Sequence, residues 1–212
     1  MAQFFAIHPT HPQLRLVRQA AEIVRGGGVI AYPTDSCYAL GCHIGDKPAM
    51  QRLRRVRGMD EKHQLTLMCR DLSEISAYAV VDNAQYRLLR ATTPGSYVFI
   101  LRATREVPRR LMHPRRKTIG VRVTSHPVAR ALLEELGEPM LSTTLALSSD
   151  AAPLSVAQEI RARLEHQVEL VIDGGVCGVE STTVIDMSGA TPRVVRRGKG
   201  PLAPFLSEDA AI

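Results

Sequence analysis

The 212-residue chain has no tryptophan, and phenylalanine and tyrosine together make up 4 % of it. A surface that stacks successive bases on aromatic rings is thereby excluded, and any nucleic-acid contact falls to guanidinium and ammonium groups. Cysteine is equally sparse. Cys37, Cys42, Cys69 and Cys177 form no C-x-x-C pair and have no histidine at a ligand-like offset, which argues against a zinc site or a disulfide framework and for a reducing, cytoplasmic compartment. The N-terminus, Met1 to Thr10, lacks the positive start and apolar run of a secretory signal. No apolar stretch approaches the roughly 18 residues of a membrane span, so no membrane partner is expected. Neither G-x-G-x-x-G nor a Walker loop occurs, so a nucleotide must be held by other means. A Pro/Gly/Ser-rich linker, an internal repeat and a low-complexity tract are also missing, which leaves one domain over 1–206 and a frayed tail at 207–212.

What the chain has in excess is positive charge: 27 Lys and Arg against 21 Asp and Glu, a formal +6. Arginine gathers in three blocks, Arg52 to Arg57, Arg102 to Arg122 and Arg193 to Lys199. If the blocks share a surface, its field attracts a polyanion such as a nucleoside triphosphate or RNA, with salt-dependent affinity; if not, they are solvated helix faces and turns.

Gly26 to Gly41 packs a flexible turn, a buried apolar strand and a cluster of hydroxyls into one stretch. Pro33 cannot donate to a sheet ladder, so pairing stops there and leaves Thr34, Ser36 and Tyr38 at the open end of the sheet, where a carboxylate or phosphate would be received. The same residues also read as an ordinary Pro-Thr-Asp-Ser turn bonded to its own backbone.

Apolar spacing predicts helices over 12–25, with Pro12 at the first helical position, after Pro48 with Met50, Leu53 and Val56 inward, around Tyr86 and Leu89, over 127–136 stopped by Gly137, and through Leu164 behind a capping box of Ser155 and Gln158. Strands are expected at 29–32, 65–69, 97–101, 118–123, 140–143, 168–172, 182–186 and 193–196, with a mobile polar connection at 58–64. This interleaving describes a single α/β domain with a large mixed sheet and flanking helices. The stretch from Asp173 to Ser181, read as a short antiparallel connection, argues against an all-parallel sheet.

Pro33-Thr34-Asp35-Ser36-x-Tyr38-x-Leu40-Gly41, Pro94-Gly95, Val121-Arg122-Val123 with His126-Pro127, Glu180-Ser181-Thr182-Thr183-Val184-Ile185-Asp186 and Val195-Arg196-Arg197-Gly198 occur in the order and spacing of the YrdC/YciO family. The resemblance spans nearly the whole chain and is nearer to the YciO branch. It implies a twisted YrdC/RibB-like α/β fold with a basic concave cavity and affinity for ATP and double-stranded RNA. It also implies synthesis of threonylcarbamoyl-AMP from L-threonine, bicarbonate and ATP with Mg²⁺, a step linked to tRNA threonylcarbamoyladenosine modification. By motif position Thr34, Ser36, Tyr38, Arg122 and Ser181 resemble the residues that hold threonine, and Thr118, Ser142, Thr144 and Arg196 those around ATP. Arg57 stands where the family has its phosphate-binding lysine, and Arg57 and Arg122 are the residues to which catalysis would fall.

Two departures bear on activity. The family's K-x-R element reads Arg57-Gly58-Met59 and its S-x-N element reads Thr144-Leu145-Ala146, so a cation and an amide are lost. The sequence therefore leaves open an attenuated synthase, a non-catalytic double-stranded RNA-binding protein using the same basic cavity, and a thiol enzyme built on Cys37.

Overall fold

A computed structural model describes residues 1–59, 64–147 and 152–205. Most of the expected 58–64 connection and the expected tail at 207–212 lie outside the described residues. The order of elements is β1 (Gln3–Ala6), α1 (Leu14–Arg25), β2 (Ile30–Tyr32), β3 (Ala39–His43), α2 (Lys47–Arg57), β4 (Thr66–Cys69), α3 (Leu72–Tyr78), β5 (Ala79–Val80), α4 (Asn83–Thr92), β6 (Tyr97–Ala103), β7 (Thr118–Val123), α5 (Pro127–Leu136), β8 (Met140–Thr144), α6 (Ala157–Leu164), β9 (Leu170–Asp173), β10 (Thr183–Asp186) and β11 (Arg193–Arg196). All strands join one mixed sheet in the order β1-β9-β2-β3-β8-β4-β7-β6-β10-β11, with β5 added to the end of β6.

The period-2 alternation of the strands divides the apolar residues between two faces. Leu67 and Cys69 of β4, Ile119 and Val121 of β7 and Phe99 and Leu101 of β6 share one core with Leu53 of α2, Ile75 of α3, Leu89 of α4 and Ile160 of α6. Ile30, Tyr32, Met68, Met140, Leu170 and Ile172 point the other way, against Val17, Ala21 and Val24 of α1 and Val128, Leu132 and Leu133 of α5. This second core ends at β4. On β7, β6 and β10 the corresponding positions, Gly120, Val98, Ile100 and Val184, line an open cavity instead. The half-covered face is what creates the site.

Several expectations are corrected in detail. α1 starts at Leu14, not Pro12, because Gln13 takes the cap position and turns its side chain to accept from His8 N at 3.0 Å. Leu14 is exposed, and Ala20 completes the buried stripe. The capping box at Ser155 does not form: α6 starts after Val156, Ser155 O accepts from Cys177 N at 3.2 Å, and Gln158 donates its side-chain amide to Asp173 at 3.0 Å. β1, β3, α3 and β5 are too short or too polar to announce themselves by period. The stretch after Asp173 is no tight connection, since β9 pairs with β1 and β2 while β10 pairs with β6 and β11. It is a strap that links two distant strands of the sheet. The 127–136 helix stops where expected, at Gly137 with φ +73°.

Leu133 is 1 % exposed and faces α1. Leu133→Ala should lower the unfolding free energy by about 2–5 kcal/mol, read as a shifted urea midpoint with an unchanged slope.

Candidate functional site

Pairing does stop at Tyr32, and the next residues fold into a tight turn in which Thr34 Oγ1 donates to Cys37 O at 2.6 Å and accepts from Ser36 N at 3.3 Å. The turn reading therefore holds, and its hydroxyls also meet a cation from across the sheet. Arg122 of β7, 5 % exposed, donates from Nη2 to Thr34 Oγ1 at 3.2 Å, to Ser36 Oγ at 3.0 Å and to Asp35 Oδ1.

Asp35 collects donors from separate segments. Thr124 Oγ1 donates to its Oδ1 at 2.6 Å, Ser96 Oγ to its Oδ2 at 3.0 Å, and Lys199 Nζ to its backbone carbonyl. Burial pushes the Asp35 carboxyl up, but Arg122 and the hydrogen bonds from Thr124, Arg122 and Ser96 outweigh it and hold the group below the usual carboxylate range. Desolvating both charges offsets much of their attraction, so the pair's main effect is positional: it fixes the guanidinium against the turn.

Arg122 and Arg196 line the same cavity, about 160 Å³, together with Ser142, Thr144, Gly120 and Thr182. Arg196 donates to Thr182 O at 2.9 and 3.2 Å and to Thr182 Oγ1 at 3.1 Å, and among the described residues it has no carboxylate partner. Among the described residues the buried Nε of Arg122 has no partner. An unmatched positive charge and an unmatched donor in one hollow favour an anionic ligand that accepts hydrogen bonds.

The other expected residues fall into four positions. Ser142 Oγ is bonded to Tyr32 OH at 2.7 Å, and burial pushes the Tyr32 phenol up to about 12, so it stays a neutral partner. Arg57 is not in the cavity lining; its Nε donates at 2.9 Å to the carbonyl of Thr144, which is. Tyr38 turns its hydroxyl to Gly175 O at 2.8 Å, and Ser181 sits on the same strap, so these two meet the turn rather than the cavity lining. Thr118 is buried on β7, and its Oγ1 has no partner among the described residues. The strap is bound to the turn again through Cys177, whose thiol donates to Thr34 O at 3.5 Å, and through Cys37, whose thiol donates to Glu180 O at 3.3 Å. Gly198 allows the chain leaving β11 to close against it: a Cβ there would meet Ser181 O at 2.2 Å.

Asp35, Ser96, Thr124, Thr182 and Lys199 are site residues that the sequence reading passed over. The signal for Asp35 was present, since a carboxylate amid hydroxyls beside an arginine-rich chain needs a cation once buried. Cys37 is buried, and burial raises its thiol pKa, which removes the thiolate that a nucleophile requires. The three arginine blocks converge in part. Arg122 and Arg196 share the cavity and Arg116 and Arg193 share Asp186, while Arg52 and Arg110 bind the carbonyls of Gly27 and Gly45. Among the described residues no group of three or more His, Cys, Asp and Glu is placed to hold a metal ion, and no helix is long and apolar enough to cross a membrane.

Fold and site together define a single-domain α/β protein with a cationic, hydroxyl-lined hollow on the open half of a mixed sheet. The chain belongs to the Sua5/YciO/YrdC family, whose model, described as "Telomere recombination", matches residues 22–198. It is 59 % identical over 206 residues to the YciO protein of Escherichia coli K12, covering 97 % of this chain and 100 % of that one, and the crystal structure of E. coli YciO superposes with a TM-score of 0.94 over the same shares. The threonylcarbamoyl-AMP synthase of Halorhodospira halophila is 34 % identical over 170 residues, 80 % of this chain and 88 % of its own length. A structure of P. abyssi Sua5 matches with a TM-score of 0.88 at 25 % identity, over 96 % of this chain and 62 % of that one.

Asp35→Asn should leave Arg122 a buried cation without its counter-charge, costing about 3–5 kcal/mol at pH 7. A carboxylate whose folded pKa is depressed stabilises the fold above its unfolded pKa, near 4, and that stabilisation is lost as pH falls through the folded value. Urea denaturation of both proteins from neutral to acid pH should therefore show the gap constant near neutrality and closing below about pH 4.

Proposed function

We propose that this protein is a threonylcarbamoyl-AMP synthase-like nucleotidyltransferase of attenuated activity, taking L-threonine, bicarbonate and the Mg²⁺ complex of ATP as substrates. The reading rests above all on the unpartnered Nε of buried Arg122 in a cavity shared with Arg196. Named synthases at 34 % identity over most of the chain support it.

In this reading the carboxylate of threonine docks on Arg122, beside the hydroxyls of Thr34 and Ser36, with Tyr38 and Ser181 closing that end through the strap. Arg196, Ser142, Thr144 and Thr118 receive the nucleotide, and Arg57 approaches the phosphates from beside Thr144. The threonine amine attacks the carbon of bicarbonate, water leaves, and the resulting carbamate oxygen attacks the α-phosphorus as pyrophosphate departs. Positioning and cationic stabilisation of the phosphoryl transition state carry most of that chemistry. The product would feed threonylcarbamoyladenosine formation on tRNA.

The attenuation follows from the two altered elements. Met59 lies against Thr143, with Thr143 Oγ1 3.7 Å from its sulfur, and Ala146 offers the site a backbone N–H that already donates to Thr144 O at 3.1 Å. Neither side chain supplies a phosphate contact. Charge-assisted contacts are worth roughly 1.5–3 kcal/mol each, so two of them acting in the transition state correspond to about two to four orders of magnitude in rate.

A second reading, binding of double-stranded RNA without catalysis, is favoured by Arg102, Arg116 and Arg193, which stay exposed around Ser188 and Asp186. Its affinity for a duplex would fall steeply with salt, and a flat response would reject it.

Purified protein given labelled threonine, bicarbonate and Mg-ATP should release pyrophosphate in a threonine-dependent way, and Arg122→Ala should abolish the dependence. Met59→Arg with Ala146→Asn should raise the rate by about two to four orders of magnitude. A wild-type rate no higher than that of Arg122→Ala, with no heat on titrating ATP and then threonine, would sink the synthase reading.

A further inference from the structure

Away from the cavity, the end of β6 and the loop that follows it enclose a second, larger hollow of about 860 Å³. Its floor is aliphatic: Val80 of β5, Ala103 of β6, then Val107 and Met112 from the loop. Val80 is 56 % exposed, on a two-residue strand that pairs, among the described residues, with β6 alone. Large apolar side chains on sheet edges are usually covered, because an open edge invites pairing with another chain.

The rim carries three cations, Arg105, Arg109 and Lys117, all exposed. Among the described residues none of the three side chains makes a hydrogen bond or ion pair, whereas Arg102, Arg110, Arg116 and Arg122 of the same block are each bonded. Lys117 is also the one non-glycine residue with a positive φ, +55°, among the described residues. That conformation costs an L-residue roughly 1–2 kcal/mol and is ordinarily given to Gly or Asn. Here a lysine bears it, at the groove.

We propose that this groove docks a protein partner through an acidic segment with aliphatic anchors, the aliphatic side chains entering over Val80, Val107 and Met112 and the carboxylates meeting Arg105, Arg109 and Lys117. Charge complementarity selects the sign of the partner. The floor selects its class: among the described residues no aromatic ring lines the groove, so bases have nothing to stack on, while aliphatic side chains find matched apolar surface. None of these residues lines the cationic cavity, so this proposal stands or falls apart from the synthase reading.

The test pans a phage library of random peptides of about twelve residues, a length that spans a groove site, on the full chain, with R105E/R109E/K117E as the counter-selection. The expected result is enrichment of sequences combining Asp or Glu with Leu, Ile or Val. Fluorescein-labelled copies should lose roughly tenfold or more in affinity, about 1.4 kcal/mol, on the triple variant and on Val80→Asp, and keep it on Arg196→Ala. The four substitutions in the groove are of exposed side chains, and an unchanged thermal midpoint verifies folding of each variant. Absence of enrichment, enriched peptides without that composition, or peptide binding indifferent to both groove variants would overturn the proposal. So would a short RNA duplex whose affinity falls on the triple variant while peptide affinity does not.

Discussion

The site is organised by one buried charge pair. Arg122 comes from the middle of the sheet and Asp35 from the turn that leaves β2, and neither is tolerable at its depth without the other. Around that pair the chain brings Ser96 from the segment before β6, Thr124 from the end of β7 and Lys199 from beyond β11. Four stretches remote in sequence are thus held to a common point by donors to a single residue. The guanidinium spends one nitrogen on this and keeps another, Nε, unengaged. A cation positioned without being used up is what recognition of an anion requires.

The hollow itself follows from how far the second core extends. α1 and α5 reach across part of the sheet, and the same strand alternation that buries Met68 and Met140 beneath them leaves Val98, Ile100 and Val184 unroofed further along. An apolar floor beneath two guanidiniums lowers the local dielectric, so their field on a bound phosphate or carboxylate is stronger than on an exposed surface. Fold and electrostatics therefore have one origin: helices that stop short.

Elements with an apolar stripe and a clean stop were legible in the sequence. The 118–123 strand, the 127–136 helix ended by Gly137, and the 193–196 strand stand where their residues place them. Termination by Pro33 was legible too, because a missing N–H is a local fact. What was not legible depended on distant partners. Gln158 caps nothing because Asp173 takes its amide, and the stretch after Asp173 carries turn residues yet links strands at separate positions in the sheet. At the site, motif order brought Arg122, Arg196, Ser142 and Thr144 to notice, and they line one cavity. Thr182 and Lys199 carry no periodic mark, since their significance arises only when the sheet has brought them opposite a guanidinium and a carbonyl.

The strap between β9 and β10 has a consequence for the order in which the molecule is built. Its anchors, Tyr38 on Gly175, Cys177 on Thr34 and Cys37 on Glu180, join residues more than a hundred positions apart. Contacts of that separation are closed late, after loop entropy has been met by earlier pairings. The cationic hollow takes Thr182, Val184 and Arg196 of its lining from beyond that strap, so a chain interrupted before residue 173 would own most of the sheet while lacking part of the hollow's wall.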